Sequence, residues 1–406
     1  MREEVVVIVG AGQSGLATAV CLTALSVPCL VLERDDCVGS MWRNRCYDRV
    51  TLHLAKQYSE LPHAPHPPSA PTYLPKRDFV RYLDDYAARF RLRVSLRRNV
   101  ESAEYDEAAG RWRVAARNAE DGAVEEYAAR YLVVASGEND EAAVPEIPGL
   151  EGFRGPVVHS SQYRSGSGYE GSAVLVVGCG NSGMEVALDL AEHGARTFIV
   201  VRSQVSFLAR FVNKNSIEML LMVHYFLMQL HIVSREIWLV AMFLMKFLPC
   251  RLLDALILLL CYLKFGNLSK YGLHRPTKGP MYLKKYTPIY PVVDIGTVTK
   301  IKSGEIQVVP SIKSIKDNYV TFSDGRFQKF DAIVLATGYR SSVKKWLKND
   351  DCLIGEDGMA KQMFPNHWKG KNGIYCAGLA RRGIYGSGED AQSIANDVAS
   401  DYQSGK

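Results

Sequence analysis

Residues 5–9, VVVIV, are apolar at every position, which suits a short strand covered on both faces of a parallel sheet. A helical pattern follows at 14–25 and a second apolar strand at 29–32. The same order returns later, with a strand at 173–177, a helix at 182–193 and a strand at 198–201. The chain therefore has two strand-helix-strand starts. Between them the pattern predicts a helix over 77–90, a polar hairpin region over 112–127 and a buried strand over 131–135. Pro145, Pro148 and Gly149 mark a boundary before the second start. Further on, 318–322, a turn at 323–325 and 327–330 read as a hairpin, and the strand at 332–337 resembles the one at 131–136. Strands and helices in alternation predict an α/β protein.

Residues 217–263 are crowded with Leu, Met, Phe, Val and Ile. The longest stretch free of formal charge, 219–234, is shorter than a membrane span and contains His224, Gln229 and His231. Arg235, Glu236, Lys246, Arg251 and Asp254 interrupt the rest of the segment, and Pro249 should break a helix. Two or three buried or amphipathic helices are expected in an apolar helical insert. Internal packing and a membrane-surface or substrate-entry role both remain open for it. Residues 275–285 read as a linker.

The chain has 406 residues, 47% hydrophobic and 23% charged, enough for two or three domains with real cores. Its net charge of +6 reads as a mild excess spread along the chain without a polybasic run, so no nucleic-acid partner is expected. The nine cysteines include no C-x-x-C pair and no zinc-like cluster with His, which predicts a reducing compartment, no metal and no redox-active disulfide. The first residues lack the basic region and cleavage site of an export signal.

The chemistry concentrates in two glycine loops. Gly10, Gly12 and Gly15 form G-x-G-x-x-G between a strand and a helix, the arrangement that lets backbone and a helix N-terminus approach a pyrophosphate. Glu33 ends the next strand, where a carboxylate can accept from both hydroxyls of a ribose. The second loop is Gly178, Gly180, Asn181, Ser182 and Gly183, and its next strand ends in Arg202 and Ser203. A cation and a hydroxyl there favour a 2'-phosphate, which Glu33 would repel. The first loop therefore suits FAD or NAD and the second NADPH. Arg202 also has a plainer reading, as a solvated charge at a strand end.

The mirrored strand pairs predict two dinucleotide-binding, Rossmann-like domains, the NADPH domain inserted in the FAD domain. The expected divisions are 1–165 for the first part of the FAD domain, 166–317 for the NADPH domain and 318–406 for the second part. Two dinucleotides in one chain imply hydride transfer from NADPH to a flavin. Without a redox-active cysteine pair, oxygen is the obvious acceptor.

Between the two starts lie Phe153, Gly155, His159 and Tyr163, in the spacing F-x-G-x-x-x-H-x-x-x-Y of class B flavin-dependent monooxygenases. GSMW at 39–42, ASGEN at 135–139, GCGNSGME at 178–185 and ATGY at 336–339 follow in the order of the plant YUCCA indole-3-pyruvate monooxygenases, which the chain resembles. WKGK at 368–371, ARRG at 380–383 and EDAQSIAND at 389–397 extend the resemblance to nearly the whole chain. It implies an NADPH- and FAD-dependent monooxygenase in which oxygen adds at the flavin C4a position and the peroxide attacks the keto carbon of indole-3-pyruvate. Loss of carbon dioxide then gives indole-3-acetate. The partners implied are a keto acid and oxygen, in the cytoplasm or on the cytosolic face of the endoplasmic reticulum, with the oligomeric state left open.

The resemblance also weights the candidate residues. Trp42 and His53 should lie where the chain passes the flavin ring, and His53 and Asn139 are the candidates for direct chemistry. His159 and Tyr163 could bridge toward either cofactor, with Gly155 allowing a close passage between domains. Gly378 ends an expected strand, and a helix beginning at 389–390 could face the flavin. Three departures stand out: Gln13 where the family usually has proline, Ser136 for threonine, and Thr287 to Tyr290 where T-G-K-x-P is common. They leave room for a monooxygenase acting on nitrogen or sulfur nucleophiles, or for an inert flavin-binding protein.

Overall fold

The computed structural model describes residues 1–201, 231–245, 247–276, 278–286, 290–349 and 352–405. It divides into two compact units. The first comprises Met1–Cys46, Val50–Ala143 and Gly338–Lys406, and the second Tyr47–Arg49 and Val144–Thr337.

The first unit begins with β1 (Arg2–Val9), α1 (Gln13–Ala24) and β2 (Cys29–Leu32). β1 runs parallel to β2, with Val6 opposite Cys29. Val6, Val7 and Ile8 are inaccessible to solvent, which is why the run carries no polar position. α2 (Lys76–Arg89) buries Phe79, Val80, Leu83 and Tyr86, steps of three and four that give it one apolar stripe. β3 (Val94–Ser95), β4 (Arg98–Asp106), β5 (Arg111–Asn118) and β6 (Val124–Val134) extend the sheet. On β5, Trp112, Val114 and Ala116 point inward while Arg111, Arg113 and Arg117 are exposed, the alternation of a strand with one wet face.

The chain then builds the second unit from β7 (Val157–His159), β8 (Ala173–Val177), α3 (Asn181–Glu192) and β9 (Arg196–Val200). The insert contributes α4 (Arg235–Leu244), α5 (Cys250–Phe265) and α6 (Pro280–Tyr286). β10 (Ile306–Val309) and β11 (Ala332–Leu335) complete a parallel sheet in the order β10-β9-β8-β11-β7. The expected hairpin forms between Tyr319–Phe322 and Phe327–Lys329. β12 (Ile374–Cys376) returns to the first unit beside β6, and α7 (Gly383–Ser404) packs against α1.

Three expectations are corrected. The divisions at 165 and 317 fall inside the second unit, because β7 and β11, just outside them, hydrogen-bond into its sheet. The expected linker over 275–285 contains α6. Its first amides, at Met281 and Tyr282, donate to the buried Asp254 carboxylate at 2.7 and 3.1 Å, a distant cap that local reading could not supply. The last helix starts at Gly383 rather than at 389–390. Three glycines weaken its first turns, but packing on α1, including Ser14 Oγ against Ser387 Oγ at 2.8 Å, overrides that propensity.

Among the described residues of the insert, α4 and α5 are the expected helices, α5 starting directly after Pro249. No helix among the described residues is long and apolar enough to cross a membrane. Residues 202–230, with Arg202, Ser203 and the first part of the apolar stretch, and residues 287–289 lie outside the described residues.

A dinucleotide cradle in the first unit

Each glycine of the first loop answers a different constraint. Gly10 has φ +107°, and a Cβ there would stand 2.5 Å from the carbonyl oxygen of Ala135. A Cβ on Gly15 would stand 1.9 Å from the carbonyl oxygen of Gly10. Those two glycines let the turn close on itself and on β6. Gly12 is different: nothing lies within 4 Å of where its Cβ would be. It caps α1 without a side-chain acceptor and opens onto the cavity, so its smallness serves something outside the fold.

The cavity holds about 1050 Å³ of space free of protein atoms, including solvent at its open mouth. Glu33, 6% exposed, lines it and binds the loop. Ala11 N donates to Glu33 Oε2 at 2.7 Å and Asp35 N to Oε1 at 3.0 Å. Burial pushes the Glu33 carboxyl up from its ordinary range, against the downward pull of the Asp35 and Ala11 amides. Beside it, Asp140 accepts from Arg34 Nη1 at 3.0 Å and from the Ser342 hydroxyl, and Arg45 Nη1 donates to the Asp140 carbonyl at 2.6 Å. All four residues line the cavity.

Trp42, Asn139 and Gly378 also line it, whereas His53 is half-buried and does not. Trp42 packs edge-on against Phe79 at 5.0 Å and donates from Nε1 to Gln13 Oε1 at 3.2 Å. Ser136 Oγ, in the cavity wall, is buried without a hydrogen-bond partner among the described residues. Behind the wall, Asp390 is almost wholly buried, with Oδ2 accepting from Gly378 N at 2.9 Å and Oδ1 lying 2.7 Å from His367 Nε2. His367 and Asp390 stand 23 positions apart, and no sequence signal joined them.

The second loop repeats the geometry in the second unit. Gly178 has φ +114° and a Cβ there would stand 2.3 Å from Ala336 O, while a Cβ on Gly183 would meet Gly178 O at 2.0 Å. Around Gly180, which caps α3, there is again nothing within 4 Å. Asn181 turns its side chain to the protein, with Oδ1 accepting from Val293 N at 2.8 Å. Ser182 is half-buried in the first turn of α3.

The linker motif is internal to the second unit. Phe153 joins its core, and a Cβ on Gly155 would stand 2.2 Å from the Asp331 carbonyl oxygen, so the close passage is against the residue that leads into β11. His159 Nδ1 accepts from Ser161 N at 3.2 Å. The Tyr163 hydroxyl donates to Asp189 Oδ2 at 2.6 Å, and burial raises its pKa.

A parallel strand, a glycine loop whose middle residue faces open space, a helix capped by backbone alone and a buried acid at the end of the next strand together fit an adenine dinucleotide. The orphaned Ser136 hydroxyl fits a polar ligand in the same cavity. These features define a flavoprotein-type fold with two dinucleotide-binding units. The family model for flavin-binding monooxygenase-like proteins matches residues 3–393. The probable indole-3-pyruvate monooxygenase YUCCA10 of Arabidopsis thaliana is 44% identical over 98% of both chains. YUCCA9 of the same plant, described in the same terms, is 47% identical over 97% of this chain and 88% of its own. An oxidized steroid monooxygenase bound to NADP has the same fold, with TM-score 0.71 and 20% identity over 99% of this chain and 86% of its own. The chain belongs to the flavin-binding monooxygenase-like family, within its YUCCA branch.

Proposed function

We propose that this chain is an NADPH- and FAD-dependent monooxygenase that converts indole-3-pyruvate to indole-3-acetate with loss of carbon dioxide. The observation that carries the reading is the first-unit cradle, where Gly12 opens onto a cavity that the buried Glu33 also lines. Support for the substrate comes from the activity named for relatives matched over nearly the whole chain.

Bound FAD and NADPH would supply hydride transfer and oxygen activation, and the chain's own residues orient and enclose them. Gly12 and the first amides of α1 would hold the FAD pyrophosphate, and Glu33 would accept from ribose hydroxyls. Trp42, held by Gln13, and Gly378, held by Asp390, form the wall of the same cavity and exclude water from it. Gly180 and the start of α3 would hold the NADPH pyrophosphate. Arg202 and Ser203 are assigned to its 2'-phosphate from the sequence alone. Tyr163, fixed on Asp189 of α3, braces the linker against the helix that carries this second loop. A cytosolic location belongs to the same reading.

The test is oxygen- and NADPH-dependent turnover of indole-3-pyruvate with product identification. Indole-3-acetate formed in step with NADPH consumption is the expected result. NADPH consumption with oxygenation of an amine or thioether but not of the keto acid would overturn the substrate assignment, and a folded, flavin-loaded protein that consumes no NADPH would overturn the activity.

A further inference from the structure

The two helices that open on the glycine loops differ in charge. α1, over Gln13–Ala24, contains no charged residue, whereas α3, over Asn181–Glu192, contains Glu185, Asp189 and Glu192 and no Lys or Arg. The strand-helix-strand fold therefore does not call for these acids. Their spacing of four and three puts them on one face, where like charges repel. Asp189 and Glu192 also lie in the last turns of α3, at the negative end of the helix dipole, and no basic residue stands there to offset them. Glu185 is 1% exposed and Asp189 4%.

A short piece of chain from far back in the sequence meets these acids. Tyr47–Arg49 belong to the second unit, although Cys46 and Val50 on either side of them belong to the first. The Tyr47 hydroxyl donates to Glu185 Oε2 at 3.0 Å. Arg49 Nη1 donates to Glu192 Oε2 at 2.6 Å and to Asp189 Oδ1 at 3.3 Å. The other oxygen of Asp189 accepts from Gly166 N at 2.6 Å as well as from Tyr163. His193 Nδ1 stands 3.5 Å from Asp189 Oδ1 but lies closer, at 2.7 Å, to the Asp189 backbone carbonyl. Arg49 thus brings a permanent positive charge to this face.

We propose that Arg49 is a positioning residue of the NADPH site that acts through Asp189: by neutralising the acid face of α3, it preserves the positive N-terminus which the second glycine loop offers to a pyrophosphate. This rests on the assignment of NADPH to that loop. Asp189 lies eight positions beyond Asn181, about 12 Å along the helix. At that distance an uncompensated unit charge inside a protein changes the affinity for a singly charged group about tenfold. Bonds that served only to hold the fold together would not make binding follow the sign of a charge.

The experiment is calorimetric titration of NADP+, which binds without reducing the flavin, into the full-length, FAD-loaded protein at low salt. Arg49→Gln should raise the dissociation constant about tenfold, and Arg49→Gln combined with Asp189→Asn should return it to within about twofold of wild type. Asp189→Asn alone, which keeps an oxygen for Tyr163 and Gly166, should bind NADP+ more tightly than wild type. Every difference should shrink at high salt. FAD content should be the same throughout, because Arg49 and Asp189 do not line the first-unit cavity. Wild-type affinity in Arg49→Gln would overturn the proposal, as would a double variant that binds no better than Arg49→Gln. Where Arg49→Gln fails to fold, weaker binding by Asp189→Asn overturns it instead. A wild-type protein that binds no NADP+ would overturn the dinucleotide assignment of the second loop, and the proposal with it.

Discussion

Trp42 and Gln13 are joined by a hydrogen bond of 3.2 Å from the indole N–H to the amide oxygen, and both line the cradle of the first unit. Gln13 is the first residue of α1, where the resemblance leads one to expect proline. Proline suits the first position of a helix and cannot accept through its side chain. Glutamine here forgoes that backbone preference and latches a cavity-wall tryptophan.

Replacing Gln13 by proline should leave the FAD-free fold intact while freeing the indole. A net hydrogen bond of about 0.5 to 1.5 kcal/mol corresponds to a two- to roughly tenfold rise in the FAD dissociation constant. FAD titration monitored by flavin fluorescence, together with tryptophan emission, would measure it. Unchanged affinity and emission would mean that the latch does not shape the cavity.

The glycines should separate by phenotype. Gly12→Val meets open space, so the FAD-free protein should fold with stability within about 0.5 kcal/mol of wild type, yet bind no FAD. Gly15→Ala places a carbon 1.9 Å from the Gly10 carbonyl and should fail at folding instead. Circular dichroism and flavin absorbance on the two purified variants decide this. FAD retained by a folded Gly12→Val protein would remove the pyrophosphate from this loop.

These contrasts show what kind of information the sequence carried. The glycine loops, Glu33 and the apolar strands were legible because each is a local pattern whose spacing states its geometry. Tyr163 was legible as a motif, but its partner Asp189 was not, because that bond joins a linker to a helix 26 positions away. The domain divisions were misplaced for a related reason: a strand belongs to whichever sheet supplies its partners, and β7 and β11 found theirs in the second unit. α6 was read as a linker although Pro280 stands at its first position, since seven residues carry too little periodicity without the distant cap from Asp254. His53 was expected near the flavin by resemblance alone, and the structure leaves it half-buried, outside the residues that line the cavity.

Asp390 supports the cavity wall from behind. Its carboxylate holds the Gly378 amide and faces the buried His367 ring, with Arg382 Nη1 3.7 Å away. Asp390→Ala removes the acceptor of the Gly378 amide and the partner of the buried His367 ring, and should cost about 2 to 5 kcal/mol. Asp390→Asn keeps an acceptor for the amide and should cost about 1 to 3 kcal/mol. Urea unfolding of the FAD-free proteins measures both, and equal costs would show that the carboxylate charge contributes nothing there.

Glu33 links cofactor binding to acidity. Its folded-state pKa is raised above the ordinary 4.5, with burial as the leading cause, so the folded protein holds this proton more tightly than the unfolded chain does. Its contribution to stability is therefore fully present below the unfolded value, falls as pH rises through the window between 4.5 and the raised value, and is lost above it. Glu33→Gln removes that dependence. The FAD-free variant should gain stability relative to wild type between pH 5 and pH 7, while its FAD affinity drops by roughly 10- to 150-fold, the equivalent of about 1.5 to 3 kcal/mol for hydrogen bonds to a charged acceptor. Denaturant midpoints of both proteins at the two pH values, with FAD titration at pH 7, give the measurement. A stability difference that stays constant with pH would show that Glu33 does not titrate in this window, and unaltered FAD affinity would take the ribose away from it.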